Sequence, residues 1–144
     1  MKEVTLNSVK ETKSFSEEFA RKTPKGTIIA LIGNLGSGKT TFAQGFALGL
    51  GIQDSVISPT FKLVSEYEGL DQALYHIDCY RLDTSMDFIN IGGENYINPE
   101  NGITLIEWAD RIKSFWIDDW IFIHFNRVSE NPNARLIKIS GRVD

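Results

Sequence analysis

The chain has 144 residues, of which 42% are hydrophobic and 24% charged, and it is long enough to bury a core without disulfides or a structural metal. Its formal net charge of −4, with no run of basic residues, argues against a protein that grips nucleic acid by neutralising phosphates on its own. A single cysteine, Cys79, excludes an internal disulfide and a thiolate metal cluster. The absence of a bilayer-length apolar run or a signal peptide then points to a reducing cytoplasm and no membrane.

No linker, repeat or low-complexity block divides the sequence, so one domain is expected over residues 1–144. Residues 4–6 read as a short first strand. Ser8 followed by Glu11 has capping-box spacing, and Thr12, Phe15 and Phe19 recur at helical intervals until Pro24 and Gly26. Residues 27–32 are aliphatic and β-branched, the pattern of a strand covered on both faces. A second helix is expected over residues 39–50, with Phe42, Phe46 and Leu50 on one face and Gly51 at its end. Ser58, Pro59 and Thr60 form a loop, followed by strands over residues 61–67 and 74–78. Thr84 and Asp87 can cap a short helix, and residues 92–102 carry loop chemistry. Residues 103–106 form a buried strand ending at Glu107. Residues 120–125 and 135–139 complete the set, joined by the turn-rich stretch 129–133.

Between the strand at 27–32 and the helix at 39–50 lie Gly33, Asn34, Leu35, Gly36, Ser37, Gly38, Lys39 and Thr40, which match G-x-x-x-x-G-K-[ST] without a gap. The expected chemistry is ATP held with Mg²⁺. Gly33, Gly36 and Gly38 are expected to take positive φ and bring backbone N–H groups against phosphate oxygens. The helix adds its positive dipole end, Lys39 reaches the β- and γ-phosphates, and Thr40 offers a hydroxyl to the metal. The expected fold is therefore α/β, a P-loop NTPase-like sandwich with a central, mostly parallel sheet and an antiparallel C-terminal strand pair.

Such a site also needs an acid at a buried strand end. Asp78 and Glu107 both qualify, and they divide the work of holding Mg²⁺ and orienting the attacking water. The almost wholly apolar strand before Glu107 favours it for the metal, and a plain salt bridge to Arg81 or Arg111 is the alternative for either acid. Thr60 lies where P-loop switches sense the γ-phosphate. His76 and Tyr80 flank Asp78 at alternate positions, which puts all three on one strand face; His76 alone reads as structural, and Trp108 as packing. Arg135 reads as a surface arginine that can reach phosphate from the last strands. No N-K-x-D segment for guanine is present, so ATP is preferred to GTP.

With these motifs in place, the chain resembles the TsaE (YjeE) family of ATPases of bacterial tRNA threonylcarbamoyladenosine biosynthesis. The resemblance rests on Gly33 through Phe42, on Ser58-Pro59-Thr60-Phe61 with Leu63, Val64 and Tyr67, on His76-Ile77-Asp78-Cys79-Tyr80-Arg81-Leu82, on Gly92, and on Ile106-Glu107-Trp108. It implies an Mg-dependent, partner-stimulated ATPase that acts with the threonylcarbamoyl-transferase protein and its paralogous partner, meeting tRNA only through that complex. It further implies that the loop through Thr41 and Lys39 hold phosphates, that Thr40 and Glu107 bind Mg²⁺, and that Asp78 is a catalytic or water-positioning acid. Thr60 is then switch-like, residues 8–12 lie by the base, and Arg135 is similar to a late family arginine near the phosphates. Asn34 and Asn95 depart from the acids usual at their positions. A small-molecule kinase and a nucleotide-loaded interaction module without turnover are the competing readings. No lid segment for a kinase is visible in the sequence.

Overall fold

The most apolar stretches of the sequence become the centre of one sheet. A computed structural model describes residues 2–34, 36–53, 56 and 63–142. Among them β1 (Lys2–Leu6), β2 (Ile28–Ile32), β3 (Val64–Glu68), β4 (Ala73–Asp78), β5 (Gly102–Glu107), β6 (Ile121–Val128) and β7 (Asn131–Gly141) form a sheet in the order β1-β7-β6-β2-β5-β4-β3. Strands β6, β2, β5 and β4 run parallel to one another, whereas β3, β7 and β1 pair antiparallel at the two ends. The expected α/β fold with a mostly parallel centre is therefore present, and so is the antiparallel β6–β7 pair. Burial explains the arrangement: every residue of β5 is buried, as are the first four of β2, and only strands covered on both faces can be apolar throughout.

Alternation along the strands divides the core into two layers. Ile29, Leu31, Leu105 and Ile123 pack with Phe42, Ala43 and Phe46 of α2 (Lys39–Gly49) and with Ala20 of α1 (Val9–Lys22). On the other face, Ile28, Ala30, Ile77 and Ile106 pack with Phe88 of α3 (Ser85–Asn90) and with Ala109 and Ile112 of a 3₁₀ segment over Ala109–Phe115. Helix α2 lies unusually close to α1. A Cβ on Gly45 would come within 2.0 Å of Ser16 Oγ and 2.6 Å of the Lys13 carbonyl, and one on Gly49 within 2.3 Å of the Glu17 carbonyl.

The expected cap of α1 is present: Ser8 Oγ accepts from Glu11 N at 3.1 Å. In α3 the box is reciprocal, with Thr84 Oγ1 accepting from Asp87 N at 3.3 Å and Asp87 Oδ2 accepting from Thr84 N at 3.2 Å. Three expectations are corrected. The third strand begins at Val64 within the described residues, not at 61, and residues 61 and 62 lie outside them. The alternation from His76 to Tyr80 stops at Asp78, where β4 ends; Tyr80 sits in a turn closed by Leu82 N donating to the Cys79 carbonyl at 3.0 Å. The β6–β7 turn is shorter than 129–133, because β7 already starts at Asn131. The register jumps from Arg127↔Arg135 to Val128↔Asn131, so Pro132 sits in a bulge where it blocks no ladder bond.

Candidate functional site

Strand β2 is the point from which the chain leaves toward both sides of the sheet, with β5 on one side and β6 on the other. At its carboxyl end an open α/β sheet forms a crevice. Here Gly36, Ser37, Gly38, Lys39, Thr40 and Thr41 face Asp78 and Glu107 across a cavity of about 340 Å³, closed at its sides by Tyr80, Trp108 and Arg135. Residues spread over a hundred positions of sequence thus meet at one place. Leu35 and Thr60 lie outside the described residues. Gly33 and Asn34 sit at the start of the loop, where their carbonyls take part through Lys39.

The loop glycines act by different means. Gly36 and Gly38 have φ of +74° and +106°, the left-handed region that glycine enters at least cost. Gly33, expected there too, does not have positive φ. It is needed for space, because a Cβ would lie 2.6 Å from Ser37 Oγ and 2.9 Å from the Phe125 carbonyl. Asn34 is exposed, as expected for a side chain that points outward from the loop. Helix α2 begins at Gly38 with no side-chain cap and no acid in its first turn, unlike α1 and α3. Its positive end therefore faces the cavity without a cap or an acid from the helix itself. The buried Ser37 hydroxyl has no hydrogen-bond partner among the described residues. A loop of this kind, with an orphaned hydroxyl and an uncapped helix start, fits an anion.

Lys39 is buried; its Nζ donates to the carbonyls of Gly33 and, at 3.3 Å, of Asn34, and lies 3.9 Å from the centre of the Trp108 ring. Desolvation lowers its pKa below the usual lysine range, against the pull of Glu107, Asp110 and Asp78. Trp108, expected as packing, is thus the cation–π partner of Lys39, and its ring also packs against Tyr80 with ring centres 4.9 Å apart. Trp108 has φ +57° and Leu63 has φ +68°. Both strained residues adjoin the acids: Trp108 follows Glu107, and the Leu63 carbonyl accepts from Asp78 N at 2.9 Å.

Asp78 and Glu107 are register partners at the ends of β4 and β5, on the face covered by α2. Thr40 Oγ1 donates to Glu107 Oε1 at 3.4 Å. Burial raises the Asp78 carboxyl above the usual range, aided by Glu107 and opposed by the Tyr80 N–H that it accepts at 2.9 Å. His76 is fully buried, and its Nε2 lies 2.5 Å from Glu107 Oε2. This contact escaped the sequence reading of His76, although its place two residues before Asp78 put it on the right face. Cys79 is no nucleophile, since burial pushes its thiol up to about 12.

Arg135 is spent on backbone. Its Nε donates to the Ser37 carbonyl at 2.8 Å and NH2 to that of Gly36 at 3.0 Å, while NH1 donates to Pro132 and Ala134 carbonyls at 2.7 Å. The bulge in β7 thereby holds the glycine loop from outside. Ser8 and Thr12 are likewise occupied in the first turn of α1, Thr12 Oγ1 donating to the Ser8 carbonyl at 3.3 Å.

A larger cavity of about 590 Å³ opens near the start of β2, between Phe15 and Phe19 of α1 and Ile121 and Ile139 of the sheet. Its buried hydroxyls are satisfied, Thr23 donating to Phe19 O and Thr27 to Pro24 O, both at 2.7 Å. Chemistry rather than volume singles out the crevice at the loop.

The family model described as Threonylcarbamoyl adenosine biosynthesis protein TsaE matches residues 6–137, a span that holds the loop, both acids and Arg135. The chain is 41% identical over 113 residues to the tRNA threonylcarbamoyladenosine biosynthesis protein TsaE of Synechocystis sp., covering 76% of this chain and 71% of that protein. It is 35% identical over 137 residues to the protein of the same name from Borreliella burgdorferi, covering 94% of this chain and 97% of that one. The crystal structure of YdiB from Bacillus subtilis matches with a TM-score of 0.81 and 30% identity, over 97% of this chain and 84% of that one. With the family model matching most of its length and relatives this similar, the chain belongs to the TsaE family of threonylcarbamoyl adenosine biosynthesis proteins.

Proposed function

We infer that this member of the TsaE family binds ATP with Mg²⁺ in the crevice at the glycine loop and hydrolyses the γ-phosphate, in support of tRNA threonylcarbamoyladenosine biosynthesis. It acts beside the threonylcarbamoyl-transferase protein and its paralogous partner, in the cytoplasm, and meets tRNA through that assembly. The observation that carries the reading is the convergence of Lys39, Thr40, Asp78 and Glu107 on one cavity beneath an uncapped helix start.

Each residue has a task in this reading. Lys39 exchanges the Gly33 and Asn34 carbonyls for phosphate oxygens. Thr40 and Glu107 would hold Mg²⁺. Among the described residues no three His, Cys, Asp or Glu side chains converge as a metal cage. The donor set fits the habit of Mg²⁺, which takes one or two carboxylates and completes its shell with phosphate and water. Bound Mg²⁺ supplies neutralisation of the charge on the β- and γ-phosphates. Asp78, whose raised pKa suits proton handling, positions the attacking water. Arg135 supports the loop from outside, with four hydrogen bonds from its guanidinium to carbonyls. Thr60 stays a switch candidate on sequence grounds.

Phosphate release by the pure chain, with and without the transferase pair, tests the reading. Turnover is expected to rise with the pair. Asp78→Ala is expected to keep nucleotide binding and lose about 10²–10⁴-fold in turnover. Lys39→Ala is expected to lose binding. Phosphate appearing on a small-molecule acceptor instead of in solution would make the chain a kinase. Binding without any turnover, even with the pair, would make it a nucleotide-dependent interaction module.

A further inference from the structure

His76 and Glu107 stand 31 residues apart in sequence and meet only because β4 and β5 pair in parallel register, Asp78 against Glu107. His76 is 0% exposed, and its Nε2 lies 2.5 Å from Glu107 Oε2. The other carboxylate oxygen, Oε1, faces the hydroxyl of Thr40 at 3.4 Å. The two oxygens thus have different duties: one is held from inside the core, and the other looks toward the loop and the cavity. With the carboxylate ionised it has only lone pairs to offer, so Nε2 carries the hydrogen and donates. The second ring nitrogen, Nδ1, has no hydrogen-bond partner among the described residues. What the described residues show is an imidazole that presents one N–H from inside the core to one oxygen of Glu107.

The geometry points to His76 as a positioning residue for Mg²⁺: its Nε2–H locks one oxygen of Glu107 and leaves the other facing Thr40, where these two residues would hold the metal. This rests on the reading of Glu107 and Thr40 as Mg²⁺ ligands, and it adds a residue that touches neither nucleotide nor metal. Buried groups that hold a metal ligand from behind commonly contribute 10- to 100-fold to metal affinity. The same hydrogen bond fixes the rotamer of a side chain with three rotatable bonds, so that its ordering is complete before the ligand arrives.

The test is calorimetric titration of the pure chain with ADP and with a non-hydrolysable ATP analogue, each with and without Mg²⁺. His76→Leu keeps the volume and removes the N–H. His76→Gln restores an N–H at similar reach. The His76→Leu variant is expected to bind nucleotide without Mg²⁺ within about two-fold of the parent and to lose about 10-fold or more of the Mg²⁺-dependent gain in affinity. His76→Gln is expected to recover most of that gain. In a Glu107→Gln background, His76→Leu is expected to cause no further loss, because the two residues act through one oxygen. Thermal melts of each variant identify any that fail to fold, and the leucine–glutamine contrast keeps the idea testable where stability falls. Equal Mg²⁺ dependence in the parent and in His76→Leu would overturn the inference. So would a glutamine variant no better than leucine. If the parent itself shows no Mg²⁺-dependent binding, the reading of the site fails, and that outcome is distinct from the failure of His76 alone.

Discussion

Burial lowers the Lys39 ammonium below the usual lysine range and raises the Asp78 carboxyl above the usual carboxylate range. Both shifts mean that the ligand-free fold disfavours the charged forms of these two groups. For Asp78 the linkage runs as follows. A carboxyl with a raised folded-state pKa keeps its proton where the unfolded chain has released it. Stability therefore falls as pH climbs out of the ordinary carboxylate range, and the loss is complete above the folded pKa. Asp78→Asn keeps an oxygen to accept the Tyr80 N–H and removes the charge. The ligand-free variant is expected to melt about 2–4 °C above the parent at pH 7, with the difference shrinking toward pH 4. A variant that melts below the parent at pH 7 would show that Lys39 and His76 more than offset the burial of the ionised acid. At this scale the sequence was legible wherever chemistry is local. Gly38-Lys39-Thr40 and the strand-end acids announce themselves by spacing. His76 against Glu107 and Arg135 against the loop do not, since one depends on strand register and the other on a bulge at Pro132. Gly33 was legible as a required glycine but not for the right reason, because its neighbour Phe125 comes from a distant strand.

Helix α2 carries the loop at its start and is positioned along its length by contact with α1. Two glycines govern that contact. Replacing glycine by alanine inside a helix ordinarily gains about 1 kcal/mol in propensity. At Gly45 the new Cβ would meet the Lys13 carbonyl at 2.6 Å, and backbone cannot swing aside as a side chain can. Forced overpacking costs about 1–3 kcal/mol, so the clash outweighs the propensity. Gly45→Ala is expected to lower Tm by a few degrees and, by lifting α2 off α1, to weaken nucleotide binding as well, since Thr40 and Lys39 ride on the same helix. Thermal melts and titration of the one variant check both halves. A rise in Tm would show that the two helices separate freely. The capping signals for α1 and α3 were readable from three-residue spacings, Ser8 to Glu11 and Thr84 to Asp87. The small residues that let α1 and α2 close up were not, because Gly45 and Gly49 in isolation look like weak points of a helix. Nor was the strand order, in which β6 joins the parallel centre and β1 closes the edge on β7.

At the scale of the whole molecule, the sheet places its least favourable charges and its strained residues at one edge, where β2, β4 and β5 end and the loop turns into α2. An edge so arranged is stabilised by whatever satisfies it. A ligand that binds only the folded chain adds about 2.7 kcal/mol at a hundred times its dissociation constant. For a protein of this length that corresponds to a rise in Tm of roughly 8 °C. The parent chain is therefore expected to gain about that much with Mg²⁺ and a non-hydrolysable ATP analogue at such an excess. Lys39→Met keeps an unbranched apolar stem as far as Cε beside Trp108 and removes the buried ammonium. It is expected to move two quantities in opposite directions: the ligand-free Tm rises, because an opposed charge is gone, and the gain from nucleotide disappears, because the phosphates have lost their cation. Differential scanning fluorimetry on both chains, with and without the analogue, measures all four values. If the variant kept the full nucleotide-dependent gain, Lys39 would play no part in holding phosphate, and the chemical meaning of the cavity would have to be sought in something other than a triphosphate.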